Sequence, residues 1–160
     1  MGCDMLVNLS RLETGYYTEK EKALADTRGI KIIRPLSPGF YKVSAFIRDN
    51  FSEGWESEVS AAYYNKPVSV FVAADNEKKI VGFACYDATA LGFFGPIGVS
   101  ESARGFGVGV ALVRRCMADM WEKGYGYAVI GGAGPVNFYA KAVRAIEIPD
   151  DKPSVYSRML

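Results

Sequence analysis

Between Gly95 and Leu112 the chain reads GPIGVSESARGFGVGVAL, the stretch whose residue types best suit chemistry. Small residues at 105, 107 and 109 let a phosphate approach the backbone closely. The free N–H groups and dipole at a helix start favour an anion there. Arg104 adds charge and a fork of donors. The segment Arg104, Gly105, Phe106, Gly107, Val108, Gly109 and Val110 is therefore a candidate phosphate-binding loop. Two other glycine motifs fail: no GxxxxGK precedes a Ser or Thr, and a GxGxxG pattern meets Val110 or Leu112 where its third glycine belongs. The chain contains no histidine, which removes imidazole triads and imidazole metal sites. Any base must be Glu, Asp, Tyr, Cys, Lys or water. Cys85 lies in an apolar run without a neighbouring base and reads as an inert buried thiol rather than a nucleophile.

These residues need elements to hold them. Pro96 cannot donate to a sheet ladder and its glycine neighbours favour a bulge, so LGFFGPIGV reads as a splayed strand with free N–H groups. Leu112, Val113, Cys116, Met117 and Met120 form an apolar helical stripe that stops at Lys123 and Gly124. Upstream, IKIIRPL is a strand, and a helix starts at Ser37 and Pro38. Trp55, Val59, Ala62 and Tyr63 mark a second helix. VSVFVAAD and KIVGFACYDA form a hairpin joined at 76–79. Downstream, YAVIGGA is a strand, VNFYAKAV a short helix, and AIEI and VYSRM are closing strands. The order β, α, α, β, β, β, α, β, α, β, β over residues 29–160 predicts a mixed α/β domain on one central sheet. Residues 1–28, with a short helix in TEKEKALADTRG, read as an N-terminal arm.

The pattern Arg104-x-x-Gly107-x-Gly109, set between a strand and a long amphipathic helix, resembles that of the GNAT superfamily of N-acetyltransferases. The resemblance covers roughly residues 29–160. It implies the acyl-CoA N-acyltransferase fold, an α+β domain with a mainly antiparallel sheet of six to seven strands flanked by helices. It makes the loop a cradle for the pyrophosphate of acetyl-CoA, a co-substrate, and gives Ile97, Gly98 and Val99 the pantetheine arm. Gly134-Pro135-Val136-Asn137-Phe138-Tyr139-Ala140-Lys141 is similar to the family's Tyr-x-Lys segment. Tyr139 is thereby the candidate general acid for a leaving thiolate, and Asn137 a candidate pantetheine contact, although Gly132 stands where the family often has an Asn. Glu56, Glu58 and Asp87 are the acids nearest the family's acceptor position. Glu56, working through water, is the candidate base. Phe51, Trp55, Tyr63, Tyr64 and Tyr86 either wall an acceptor pocket or belong to the core.

The expected activity is acetyl transfer from acetyl-CoA to a primary amine of a small molecule by direct attack in a ternary complex. A catalytically silent acyl-CoA sensor, a nucleotide enzyme and an interaction protein remain as alternatives. Composition narrows the partners. The chain has 160 residues with 49% apolar content, enough for one core, and a net charge of +1 gives no case for nucleic acid or an anionic membrane. Cys3, Cys85 and Cys116 lie far apart without CxxC spacing, which argues against disulfides and a metal site and for a reducing cytoplasm. The first residues lack a signal-peptide apolar stretch, and no run reaches the roughly 18 apolar residues of a spanning helix. A homodimer is allowed by the resemblance alone.

Overall fold

The structure, a computed structural model, describes residues 2–13, 15 and 18–160. In chain order its elements are β1 (Cys3–Asn8), α1 (Thr18–Arg28), β2 (Lys31–Ile33), α2 (Phe40–Asn50), α3 (Glu53–Tyr63), β3 (Val70–Ala74), β4 (Ile80–Tyr86), β5 (Phe93–Val99), α4 (Val108–Lys123), β6 (Tyr127–Ala133), α5 (Val136–Val143) and β7 (Ile146–Glu147). Short 3-10 turns occupy Leu9–Arg11, Ser37–Gly39, Glu101–Ala103 and Val155–Arg158.

All five residues of β3 are buried. Val70 and Val72 enter one core, Phe71 and Ala73 the other, as the period-two alternation of a strand covered on both faces requires. One core carries the apolar stripe of α4, from Leu112 to Met120, with Leu24 of α1 and Tyr139 of α5. The opposite core is made by α2 and α3 through Val43, Ile47, Val59 and Ala62, packed on Phe83 and Cys85. Helix α4 ends where expected: Gly124 takes φ 109°, and the Tyr125 N–H donates to Met120 O at 3.1 Å, the glycine stop that satisfies orphan carbonyls.

The seven strands make one sheet in the order β2-β3-β4-β5-β6-β1-β7. Neighbours run antiparallel except β5 and β6, which are parallel. The predicted mixed, mainly antiparallel sheet is thus the architecture found.

Two segments differ from the sequence reading. The proposed arm, residues 1–28, supplies β1, which lies inside the sheet between β6 and β7, and α1, which packs on α4 through an Arg115–Glu21 ion pair of 2.8 Å. Positions 1, 14, 16 and 17 of that arm lie outside the described residues. The second closing strand does not form: Ser154 caps a 3-10 turn over Val155–Arg158 by accepting from the Tyr156 N–H.

Candidate functional site

Parallel pairing between β5 and β6 is confined to Phe93 with Val129 and Phe94 with Ile130. Next along β5 comes Gly95-Pro96, which lacks a ladder N–H, and the register against β4 shifts at this point. Beyond it the two strands part. A cleft of about 1260 Å³ opens, lined by residues 94–99 of β5 and 130–133 of β6.

One end of this cleft meets the start of α4. Gly107 is the helix N-cap at φ 91°, with no side chain capping the first amide groups, and Gly105 sits at φ 87° with open space around its α-carbon. Both positions need glycine for the left-handed backbone. Residues 108–110 begin the helix with amides of the kind that bind anions. Arg104 donates from Nε to Val99 O at 3.0 Å, which ties the guanidinium to the end of β5. Gly109 lies against Phe138, where a Cβ would come within 3.3 Å of the ring.

Tyr139, on α5, lines the same cleft and is 6% exposed. Its ring packs edge-on to Phe94 and Phe138. Burial, with a smaller contribution from Tyr156, pushes its pKa up to about 12, so the phenol keeps its proton at neutral pH.

The other end of the cleft faces α3. Phe51, in the turn between α2 and α3, lies over Gly98 so closely that a Cβ there would come 2.4 Å from the ring. Trp55 stacks beside it at 5.2 Å, and both rings rest on buried Phe83. Glu58 lines the cleft one helical turn after Trp55, and the Thr89 hydroxyl donates to its Oε1. Tyr156 comes from the C-terminal turn, and its hydroxyl occupies the space a Cβ on Gly131 would need.

Of the residues proposed from sequence, the structure brings Ile97, Gly98, Val99, Arg104, Gly105, Gly107, Val108, Gly109, Val110 and Tyr139 to this cleft. Three others lie off it. Phe106 points away and carries the Arg28 guanidinium over its ring at 3.6 Å. Asn137 is exposed on α5. Glu56 is turned toward α2, where it accepts from the Ser44 hydroxyl and pairs with Arg48 at 3.1 Å. Helical phase separates Glu56 from Glu58 by about 200°, so only the latter shares the Trp55 face. Asp87 serves the fold: its carboxylate accepts from Gly92 N–H, Lys123 Nζ and Tyr125 OH, each at 2.8 Å. Of the candidate wall aromatics, Phe51 and Trp55 line the cleft, Tyr63 and Tyr86 are buried, and Tyr64 is exposed. Tyr156 is hidden from sequence reasoning because VYSRM has the pattern of a strand. Asp4 is hidden too; its Oδ1 accepts from the Gly132 N–H at 2.8 Å and holds the glycine end of β6.

The strands part beside a glycine-rich helix start, the arrangement that the sequence resemblance implies, and the comparisons agree on the family. Residues 40–143 match the acetyltransferase (GNAT) family, and the chain belongs to that family. Among solved structures, the GCN5-related glucosamine N-acetyltransferase region of a fungal multi-domain GH3 β-N-acetylglucosaminidase superposes with a TM-score of 0.72 at 14% identity, covering 91% of this chain and 19% of that one. A GCN5-related N-acetyltransferase from Sphaerobacter thermophilus gives 0.69 at 17% identity, covering 91% of this chain and 48% of the other. The chain therefore spans about a fifth and about half of the lengths of these two proteins, and at such identities the likeness is one of fold. No curated protein matches significantly. No helix among the described residues is long and apolar enough to cross a membrane.

Proposed function

We propose that the chain is an acetyl-CoA-dependent N-acetyltransferase that acts on the primary amine of a small molecule. The observation that carries this reading is the uncapped, glycine-lined start of α4 opening into the gap between β5 and β6. Residues 104, 105 and 107–110 would hold a pyrophosphate through backbone amides, helix dipole and guanidinium charge. Backbone groups of Ile97, Gly98 and Val99, freed where β5 leaves β6, would hold a pantetheine arm.

Acetyl-CoA supplies the acetyl group as a thioester, whose carbonyl an uncharged amine attacks and whose thiolate leaves. Tyr139 keeps its proton at neutral pH, with a pKa near 12, and its Oη–H would be the donor that meets the leaving thiolate. Direct attack in a ternary complex fits better than a covalent enzyme intermediate: Cys85 is fully buried and burial pushes its thiol up, away from the reactive thiolate. The three unpaired cysteines suit a cytoplasmic setting, and a homodimer is part of this reading.

Thermal unfolding with acetyl-CoA, against ATP and NAD at equal concentration, tests the proposal. A ligand at 100-fold excess over its Kd should add about 2.7 kcal/mol, roughly 5–10 °C for a domain of this size. The shift should be confined to acetyl-CoA and shrink in Arg104→Ala. No shift at millimolar acetyl-CoA, or an equal one with NAD, would sink the reading. A shift without thiol release over a broad amine panel would leave an acyl-CoA-binding module instead.

A further inference from the structure

We infer that the α3 end of the cleft selects a singly charged amine carried on a flat apolar body, with Glu58 as the partner of its ammonium. The inference rests on the acetyltransferase reading for the amine but draws its selectivity from a separate group of side chains.

Glu58 and Arg104 are the charged residues lining the cleft. Arg104 is committed to the other end, bonded to the carbonyl of Val99. Among the described residues, the α3 end therefore presents one carboxylate and no cation. Among the described residues one oxygen of Glu58 is taken, by the hydroxyl of Thr89, and a carboxylate has acceptor capacity well beyond that. Burial chiefly raises the pKa of the Tyr156 phenol, a bond with Thr89 lowers it, and the charge of Glu58 adds a smaller rise, so this carboxylate lies close to the ring.

Around this charge the walls are aromatic. Phe51 and Trp55 are held by contact with each other and with Phe83, at centroid distances of 5.2, 5.6 and 6.0 Å. Tyr156 closes the opposite side against Gly131. The Phe51 and Trp55 rings, fixed in this way, bind a flat apolar group with little ordering cost, and they attract a cation over their faces.

Three substrate types separate on this arrangement. An arylalkyl monoamine finds a partner for its ammonium and a surface for its body. An amino acid brings a carboxylate that would face Glu58 with no cation to meet it. A polyamine brings further ammonium groups that find no second carboxylate along the aromatic wall. Unpaired charges in a partly desolvated pocket weigh against binding.

The test is calorimetric binding of 2-phenylethylamine, phenylalanine and spermidine to the protein saturated with CoA, and to the free protein. 2-Phenylethylamine should bind at least ten-fold more tightly than either competitor, and Glu58→Gln should weaken it ten-fold or more. The thermal shift with acetyl-CoA should survive in Glu58→Gln, which shows that the variant is folded. Equal or tighter binding of phenylalanine or spermidine, an unchanged affinity in Glu58→Gln, or no binding of 2-phenylethylamine at millimolar concentration would overturn the inference. The acetyltransferase reading fails on a different signal, the absence of an acetyl-CoA shift, so the two failures are told apart.

Discussion

At the scale of single residues, the glycines of the cleft are small for different reasons, and substitution should separate them. Gly98 faces the Phe51 ring, with three ring atoms within 2.8 Å of where a methyl group would stand, and that ring is wedged between Trp55 and Phe83. Gly98→Ala must displace a packed cluster and should lose about 1–3 kcal/mol. Gly131 faces the far end of Tyr156, whose half-buried side chain can swing away. Gly131→Ala should lose less than about 1 kcal/mol, within the range of tolerated substitutions, while changing the KM for the amine. Urea unfolding of both variants checks the order, and a larger loss for Gly131→Ala would contradict it. The glycine loop at 104–110 is legible in the sequence because spacing and a following helix suffice to define it. These contacts are not, since Phe51 and Tyr156 reach their glycines across the fold. The choice between Glu56 and Glu58 is legible in part: helical phase with Trp55 separates them, but the Ser44 and Arg48 partners of Glu56 come from another helix.

At the scale of elements, the strand least visible in sequence ties the site together. β1 pairs with β6 from Cys3 to Asn8, with a bulge between Cys3 and Met5, and with β7 at Met5 and Leu6. Within that bulge Asp4 binds the Gly132 N–H through its carboxylate, while its own N–H donates to Asp151 Oδ2 at 2.7 Å. Asp151 begins the segment that delivers Tyr156 to Gly131. Removing residues 1–29 should leave β6 with an open edge and β7 without its neighbour, and the remaining chain should not give a cooperative unfolding transition. Circular dichroism on the truncated protein decides this, and a cooperative melt close to that of the whole chain would show β1 to be dispensable. The central hairpin and α4 are legible because their patterns are local and long. β1 is not: its residues pair with β6 partners 119 to 130 positions away, and a buried Asp inside the strand breaks the apolar alternation that would announce it.

At the scale of the whole molecule, the titration of the fold should be flat near neutrality and steep at alkaline pH. The chain has no histidine, so no imidazole titrates between pH 5 and 8. Burial pushes the thiols of Cys85 and Cys116 well above their ordinary value. It takes Tyr63 and Tyr139 up to about 12, and raises Tyr86 further with help from its bond to Asp119. A raised native pKa means that the folded chain keeps protons which the unfolded chain gives up. Stability from these groups is complete below the unfolded values, near 9 for thiols and 10 for phenols, and is lost as pH rises toward the folded ones. Each retained proton adds about 1.4 kcal/mol per pH unit to the decline. Urea unfolding should therefore change by less than about 1 kcal/mol between pH 6 and 8, fall above pH 9 and steepen above pH 10. Tyr139→Phe should remove one proton's worth of that alkaline slope while lowering kcat about 100- to 10,000-fold, the range of a lost general acid. These two readouts separate the roles of the phenol. If the slope flattens and kcat is unchanged, Tyr139 is a buried packing residue and the thiolate takes its proton from water. If both change together, the proton that stabilises the fold at high pH is the one the reaction uses.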